Sequence, residues 1–478
     1  MENKKEKEWI REGNVSIDYF TKKYFFLMND FLGFHVVSRL KQLAGDSNAI
    51  NPYVSYFDNK NNMNYIYVSS TKTSQDTGYY LLMNNQWFEE YLKKIEKEYG
   101  EAIYFKKYFK SLVLEDLNSN KIKEVLLKME KRVWICKSLN LFTLENYYKL
   151  IEDSLKQKLS KKIKNYSEVL STLLLREERD ALEEERFQWL KKIILPMFSQ
   201  DLNDNEKQGL VKKINEHSKK FGEYAANFDS DPWDFNHYLD LFEGDFIKGK
   251  DKIEKEFLTL KDKTEKNKKI KKEIISKYNL DEETIKKANL LSKLANIRLD
   301  LRVKCWGYYV YVFRKLLDVC SQKSGLSSEE IGQLKYCELI GLLNKDFNLD
   351  IDLKKQINQR KDSDWIMLID LKKGFQTLFG EEAKNKLISE IGAPKREDKD
   401  IESFEGTVAS KNGVVRGKVF KLYYGSSNSD KKMKDFPEGA ILVSNATVPA
   451  FMPAISKASA IVTDRGGITS HASIVSRE

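Results

Sequence analysis

Proline is scarce in this chain, with seven residues among 478. Proline interrupts helices and removes a backbone donor, so its scarcity, together with 32% charged residues, favours a helix-rich soluble protein. The hydrophobic content of 41% is enough for sizeable cores. A chain of this length is expected to form two to four domains.

Long apolar runs are also missing. No stretch of about 18 apolar residues occurs, so the sequence predicts no transmembrane helix. Residues 1–8 are mostly charged and lack the apolar core of a signal peptide. We therefore expect a cytoplasmic protein.

Cysteine is rare, and the four cysteines lie far apart without a Cys-x-x-Cys pair. This spacing fits neither a disulfide framework nor a zinc site, and we predict no metal site. Each cysteine lies in an apolar helical context, which predicts a buried packing role. The four residues are Cys136, Cys305, Cys320 and Cys337.

The positive net charge is small. There are 82 Lys and Arg residues against 72 Asp and Glu residues, which gives +10. The lysine-rich stretches 156–164 and 248–272 contain acids and no stacking aromatic residues in the basic run, so we interpret them as solvated helix surfaces. Nucleic acid is an unlikely partner on this pattern, although such a field could steer an anionic nucleotide or a partner protein.

Three regions and a linker are predicted along the chain. Residues 1–118 have mixed α+β character without assignable chemistry, with strand-like segments at Tyr65–Ser69 and Gly78–Met83. Residues 119–392 show apolar residues at three- and four-residue steps, which predicts a long helical substrate- or partner-binding region. Residues 393–402 form a charged linker before a C-terminal domain at 403–478.

Two features of the helical region have more than one interpretation. Aromatic residues from Trp233 to Phe242 could line a substrate cavity, but plain core packing is favoured. Arg298, Arg302 and Arg314 could be functional, but surface salt bridges are favoured for each. Leu326–Glu330 predicts a helix start with an N-cap serine and early acidic residues.

The most informative stretch is the last one, Ile461–Glu478. Ala460–Thr463 predicts a short buried strand, and Gly466-Gly467 allows a sharp turn close to a ligand. Thr469 or Ser470 is a candidate N-cap for a helix whose first turn holds His471. Imidazole is a competent nucleophile near neutral pH, and a helix N-terminus favours a phosphoryl group.

Simpler interpretations exist for the individual residues. A histidine that follows two glycines is often an ordinary residue of a helix cap. A turn or cap position explains Asp464 as well as a functional role does. Arg477 could neutralise a phosphate, but an exposed helix position is the commoner place for an arginine. For His471 the longer pattern favours the functional interpretation, whereas both alternatives stay open for Asp464 and Arg477.

The segment 400–478 resembles the phosphohistidine, or swivelling, domain of the phosphoenolpyruvate (PEP)-utilising enzymes. This family includes phosphoenolpyruvate synthase, pyruvate phosphate dikinase, enzyme I of the sugar phosphotransferase system and rifampicin phosphotransferase. The order and spacing of several pieces carry the resemblance: Glu405-Gly406, Gly417–Val419, Gly439–Val443, Thr447–Pro449, Pro453 and Thr463–Ala472.

The resemblance implies that His471 carries a phosphoryl group and that the domain swings between distant sites. It implies catalytic assistance from Thr469 and phosphate contacts from Gly466, Gly467, Ser470 and Arg477. The overall architecture expected is multidomain and mainly α, with an α+β N-terminal region, a helical middle and a C-terminal β/β/α swivelling phosphohistidine domain.

The resemblance also implies partners. ATP with Mg²⁺, or phosphoenolpyruvate, would be the donor, bound by an ATP-grasp or PEP-binding module in another chain or a missing segment, and a small molecule would be the acceptor. No P-loop or protein-kinase motif is present. We expect a phosphotransferase subunit or fragment; the alternative is a non-catalytic helical scaffold or regulatory protein with a vestigial phosphohistidine domain. Because related domains continue beyond the equivalent of Ser476–Glu478, we expect the closing part to be missing and the domain to be marginally stable.

Overall fold

A computed structural model describes most of the chain between residues 72 and 391 and parts of both ends. The described residues are 9–16, 53–58, 63–69, 72–198, 204–227, 230–361, 363–370, 374–391, 406, 408, 413–422, 433, 435–444, 447, 451–463, 472, 473 and 476. This described part is mostly helical with two small sheets, as the sequence predicted in outline. The predicted linker 393–402 lies outside the described residues, and the predicted domain boundaries stay predictions.

Five antiparallel strands form the first sheet, in the order β1-β3-β2-β4-β5. The pairing of β2 with β4 joins two segments that lie before and after the helices in the sequence. Tyr56 lies opposite Ile366, and Val54 lies opposite Leu368. The helices from 72 to 361 are therefore inserted between β3 and β4. The strands are β1 (Trp9–Ser16), β2 (Tyr53–Asp58), β3 (Met63–Ser69), β4 (Trp365–Asp370) and β5 (Gly374–Phe379).

The helical part contains fourteen α-helices of five or more residues between β3 and β4 within the described residues, besides the short segment Leu195–Met197, and a fifteenth follows β5. They are α1 (Lys72–Met83), α2 (Asn85–Lys110), α3 (Ser119–Leu141), α4 (Glu145–Ser160), α5 (Tyr166–Leu173), α6 (Ala181–Trp189), α7 (Asp204–Phe221), α8 (Phe235–Lys248), α9 (Lys250–Lys277), α10 (Glu282–Leu301), α11 (Gly307–Ser324), α12 (Ser328–Gly332), α13 (Tyr336–Asn344), α14 (Ile351–Lys361) and α15 (Gly380–Ile391).

Polar side chains define where these helices begin. Asn118 accepts a hydrogen bond from the backbone N–H of Lys121 at the start of α3 (2.9 Å), and Asp281 does the same for α10. Asp180 and Glu183 form a reciprocal capping box at α6. Ser327 and Glu330 form another at α12, which confirms the predicted N-cap.

The predicted apolar stripes are confirmed as core. Leu170, Leu173 and Leu174 are buried, and so are Leu291, Leu294, Ile297 and Leu301. These stripes belong to one hydrophobic core that joins helices from Leu82 to Ile357. A second, smaller core packs Trp189, Ile214 and Tyr238 together across α6, α7 and α8. The two cores give the helical part its rigidity.

Three expectations about local structure are wrong. Gly78–Met83, predicted as a strand, lies within α1, where Gly78 lets the helix approach the backbone of α4 at Tyr147. The helical prediction for residues 365–379 is wrong, because these residues form β4 and β5. A short apolar run is compatible with a helix or a strand, and here pairing with the distant β2 makes it a strand. Cys337 is exposed, whereas the other three cysteines are buried, and none of the four is in a disulfide.

Among the described residues, no helix is both long and apolar enough to cross a membrane.

Candidate functional site

The C-terminal part contains a parallel sheet of three short strands, β6 (Val419–Lys421), β7 (Ile441–Ser444) and β8 (Ala460–Thr463), in the order β6-β7-β8. Val443 pairs with both Lys421 and Val462. Because the strands are parallel, their carboxyl ends meet at one edge. Ligands of open parallel sheets bind beyond this edge, and the segment with His471 begins there, directly after Thr463.

A small core supports this edge. Leu442 and Leu422 are fully buried against the short helix α16 (Met452–Ile455), and the rings of Phe420 and Phe436 pack edge to face at 5.1 Å. The predicted strand at Ala460–Thr463 is confirmed, although its residues are only partly buried. This core holds β8, so it fixes the point at which the glycine-rich segment leaves the sheet.

Two glycines of the family pattern, Gly417 and Gly439, lie at positions where the backbone geometry does not suit another residue. A Cβ on Gly417 would lie 2.8 Å from the carbonyl oxygen of Gly439, which is too close for any side chain. Gly439 itself has a φ of 72°, in the left-handed region that favours glycine. Its N–H donates to the carbonyl of Lys457 at 2.8 Å. Both glycines let the loops around β7 pack closely.

All the site residues predicted from the sequence lie outside the described residues, so their roles stay predictions. They are Gly466, Gly467, Thr469, Ser470, His471 and Arg477; Asp464 also lies outside. The described residues that lie closest to them in the sequence are packed into the fold. Ala472 and Ser473, directly after His471, are buried, and the Ser476 hydroxyl donates to the Ala472 carbonyl at 2.7 Å.

The sequence analysis assigned no role to two polar residues at this edge. Ser444 ends β7 and is 1% exposed, and Thr447 follows it and is 8% exposed. Buried hydroxyls at the carboxyl edge of a parallel sheet are candidates for orienting a neighbouring loop. The signal for Ser444 was a polar residue that closes an apolar run, Ile441–Val443.

A comparison with known protein families identifies this same part of the chain. Residues 436–478 match the family described as PEP-utilising enzyme, mobile domain. A probable phosphoenolpyruvate synthase of Archaeoglobus fulgidus is 38% identical over 102 residues, which cover 20% of this chain and 13% of that protein. A phosphoenolpyruvate synthase of Aquifex aeolicus is 38% identical over 104 residues, which cover 22% of this chain and 11% of that protein.

The sequence-based recognition is therefore confirmed: the C-terminal segment of this chain belongs to the mobile domain of the PEP-utilising enzymes. Over 48 residues, which cover 10% of this chain and 6% of that protein, the chain is 56% identical to a probable phosphoenolpyruvate synthase of Staphylothermus marinus. The aligned regions span about one tenth of the length of these relatives.

The helical part carries a buried ionic network around Asp245, which is fully buried. Its carboxylate accepts hydrogen bonds from Trp189 Nε1 (2.9 Å), Lys248 Nζ (2.8 Å) and Arg186, whose Nε also donates to Glu256. Burial alone would raise the pKa of Asp245, but the hydrogen bonds from Arg186 and Lys248 hold it below its usual value. The network ties α6 to α8 and α9.

The aromatic cluster of α8 is mostly core, as favoured. Tyr238 is fully buried, and Trp233, Phe235 and Phe242 pack against the smaller core. His237 is exposed and stacks on Trp233 with ring centroids 4.9 Å apart. Burial, with the nearby Glu185 carboxylate, raises the pKa of Tyr238 far above its usual value.

Among the described residues, one of the three candidate arginines forms the expected salt bridge. Arg314 pairs with Asp231, whereas Arg298 and Arg302 are exposed and form no ion pair with a described residue. Arg302 begins a π-helical turn, Arg302–Trp306, and a second π turn lies at Leu190–Ile194. Such turns often occur near functional sites because they widen a helix locally.

Both π turns border concave surfaces. A cleft of about 480 Å³ includes Lys304 of one π turn. Asp300 braces this wall, accepting from the Ala181 N–H (2.9 Å) and from Lys304 Nζ (2.6 Å). Burial raises the pKa of Asp300, and Lys304 opposes that rise. The lining residues are Glu177, Glu178, Arg179, Asp180, Ala181, Glu184, Lys220, Phe221, Tyr224, Thr264 and Lys304.

Within the described residues, no group of three or more His, Cys, Asp or Glu side chains is arranged to hold a metal ion.

Proposed function

We propose that this chain is part of a phosphotransferase in which His471 accepts a phosphoryl group and passes it to an acceptor. The observation that carries the proposal is the match of residues 436–478 to the mobile domain of the PEP-utilising enzymes. The site geometry supports it, because the segment with His471 starts at the carboxyl edge of a parallel sheet.

In this proposal, an imidazole nitrogen of His471 attacks the phosphorus of ATP or phosphoenolpyruvate, and the bond to the donor's oxygen breaks. Thr469 and Ser470, with the backbone N–H groups of Gly466 and Gly467, bind the phosphoryl oxygens, and Arg477 neutralises their charge. The donor, with Mg²⁺ where it is ATP, is held by a separate nucleotide- or PEP-binding module.

The helical part then holds the acceptor. Its cleft of about 480 Å³ offers hydroxyls from Tyr224 and Thr264 and ammonium groups from Lys220 and Lys304. A cleft of this size suits a small molecule. Its lining holds four carboxylates, of Glu177, Glu178, Asp180 and Glu184, against three cations, of Arg179, Lys220 and Lys304. Its polar groups therefore suit a hydroxylated molecule better than an anionic one. The acceptor hydroxyl would attack the phosphohistidine, form an O–P bond and release the His471 nitrogen.

Intact-mass spectrometry under alkaline conditions tests the relay. The chain is incubated with ATP and Mg²⁺, with phosphoenolpyruvate, and with lysate from the source cell that supplies a separate donor module. We expect one acid-labile phosphoryl adduct, which is lost in His471→Ala and kept in the matched control His237→Ala. The mixture that gives the adduct identifies the donor.

Absence of the adduct in every mixture, from protein whose circular dichroism and thermal transition show a folded state, would contradict the relay. That result would favour the scaffold alternative. An adduct that survives in His471→Ala would contradict the assignment of the phosphorylated residue.

A further inference from the structure

A second, smaller pocket lies on the other side of Lys220 from the cleft. Its volume is about 170 Å³, and it is formed by α7 and the π turn Leu190–Ile194. His217 forms part of its wall, and Lys192, Lys213 and Lys220 surround it. No role for this pocket follows from the relay through His471.

The imidazole of His217 is held by a buried carboxylate. Its Nε2 lies 2.8 Å from Oε1 of Glu185, and both residues are 6% exposed. Phe221, Tyr238 and Trp189 pack around the ring, with centroid distances of 4.6, 5.1 and 5.2 Å. The ring therefore has one orientation, with Nε2 committed to Glu185.

The second ring nitrogen, Nδ1, has no hydrogen-bond partner among the residues that the structure describes. Since a carboxylate only accepts, Nε2 carries a proton toward Glu185, and this leaves Nδ1 to bond a ligand. A neutral ring accepts a hydrogen bond from a P–OH group, and a protonated ring donates one to a phosphate oxygen. His217 lines the pocket, so a ligand bound there can reach the ring.

The charge around the pocket favours an anion. None of the ammonium groups of Lys192, Lys213 and Lys220 forms an ion pair with a described residue. Glu216 is the one carboxylate among the lining residues and partly opposes them. Three cations against one anion, beside a hydrogen-bonding imidazole, are the groups that bind phosphate in proteins.

We propose that this pocket binds the phosphate group of a small molecule, with His217 hydrogen-bonded to it and Lys213 and Lys220 neutralising its charge. The source of the group is either free inorganic phosphate or a phosphomonoester. Lys220 lines both this pocket and the cleft, but phosphate binding here requires neither His471 nor a phosphorylated protein.

NMR of the full chain with ¹³C-labelled histidine rings tests the proposal, since the protein has only four histidines. His471→Ala is used as the background, so the result does not depend on the relay. His217→Gln assigns the His217 signal. Inorganic phosphate and glycerol 2-phosphate are titrated at constant ionic strength with chloride as the balancing ion.

We expect a saturable shift of the His217 signal and little change at His237, and the probe that saturates at lower concentration identifies the source. The double variant K213A/K220A should weaken binding by roughly tenfold, because it removes two charge-assisted contacts. K212A/K219A changes the same net charge on the same helix outside the pocket and should weaken it less than about twofold. Glu216→Gln should tighten it.

Two results would overturn the proposal. One is a His217 signal that does not move with either probe in folded protein. The other is equal weakening by K213A/K220A and K212A/K219A, which would reduce the effect to the general field of a basic helix. Neither result bears on the phosphorylation of His471.

Discussion

The hydroxyl of Tyr309 in α11 donates a hydrogen bond of 2.7 Å to Oε1 of Glu98 in α2, deep in the larger core. Arg132 donates to the other carboxylate oxygen at 3.0 Å. Glu98 is only 2% exposed, and burial raises its pKa from 4.5 to about 7, although Tyr309 and Arg132 both lower it. The effect on the pKa of removing the Glu98 carboxylate from water is thus larger than the opposing effects of Tyr309 and Arg132.

The stability of the helical part should therefore fall as pH rises through this range. The folded state holds the Glu98 proton more tightly than the unfolded state, so its stabilising effect is complete below pH 4.5 and is lost up to about pH 7. Glu98→Gln keeps an acceptor for Tyr309 and cannot ionise. Its free energy of unfolding, relative to wild type, should rise by roughly 3 kcal/mol between pH 4 and pH 9.

Urea denaturation at several pH values measures this difference. Glu101→Gln is the control, because Glu101 contacts the same Arg132 at 3.2 Å but is half exposed. A difference between Glu98→Gln and wild type that stays constant with pH would contradict the raised pKa.

Removal of the Asp245 carboxylate should destabilise the smaller core strongly. Asp245→Ala leaves the partly buried Arg186 guanidinium and the Trp189 N–H without their acceptor, and breaking a buried pair costs about 3–5 kcal/mol. Lys250→Ala is the control, since its 3.7 Å pair with Glu254 is half exposed and should change stability by less than about 0.5 kcal/mol. Thermal and urea unfolding compare the two; equal effects would show that the network does not stabilise this core.

Two helical glycines should respond to alanine with opposite signs. Gly78→Ala would push a Cβ into the backbone of Tyr147, which separates α1 from α4 and should destabilise by about 2 kcal/mol. Gly100→Ala, in α2, meets nothing within 4 Å and should stabilise by about 0.5–1 kcal/mol. The free energy of unfolding from urea titrations gives both values. A neutral Gly78→Ala would mean that the two helices are not in close contact.

The C-terminal sheet should depend on Gly417. In Gly417→Ala the new Cβ meets the Gly439 carbonyl, so β6 and β7 cannot pack as they do. Hydrogen exchange of peptides from 413 to 463 should accelerate at least tenfold, and phosphorylation of His471 should fall with it. Val414→Ala, at a side chain that is 92% exposed, is the control and should change neither. Unchanged exchange in Gly417→Ala would contradict the close approach.

One cysteine should react rapidly in the native protein. Cys337 is exposed, whereas burial raises the pKa of the Cys320 thiol to about 12 and lowers its reactivity. Brief treatment with iodoacetamide should modify one thiol, and Cys337→Ser should abolish that modification. Mass spectrometry of peptides identifies the residue, and labelling of Cys136, Cys305 or Cys320 at the same rate would contradict their burial.

The sequence by itself determined those helices and strands whose formation depends on residues close to one another in the chain. Helices such as α10 and α12 follow from apolar periodicity and from caps at Asp281 and Ser327, whose contacts span only a few residues. The strand at Ala460–Thr463 could also be predicted from the sequence, because it is a short apolar run. The family of the C-terminal segment could be predicted because its pattern extends over many residues in a fixed order.

The tertiary structure decided what depends on distant partners. Trp365–Asp370 became a strand because Tyr53–Phe57 offers it a sheet edge, and Gly78–Met83 became a helix against α4. The pairing of His217 with Glu185 spans 32 positions and two helices, so no local pattern predicts it. The packing of α6, α7 and α8 around the smaller core buries that pair, and the basic pocket lies beside it.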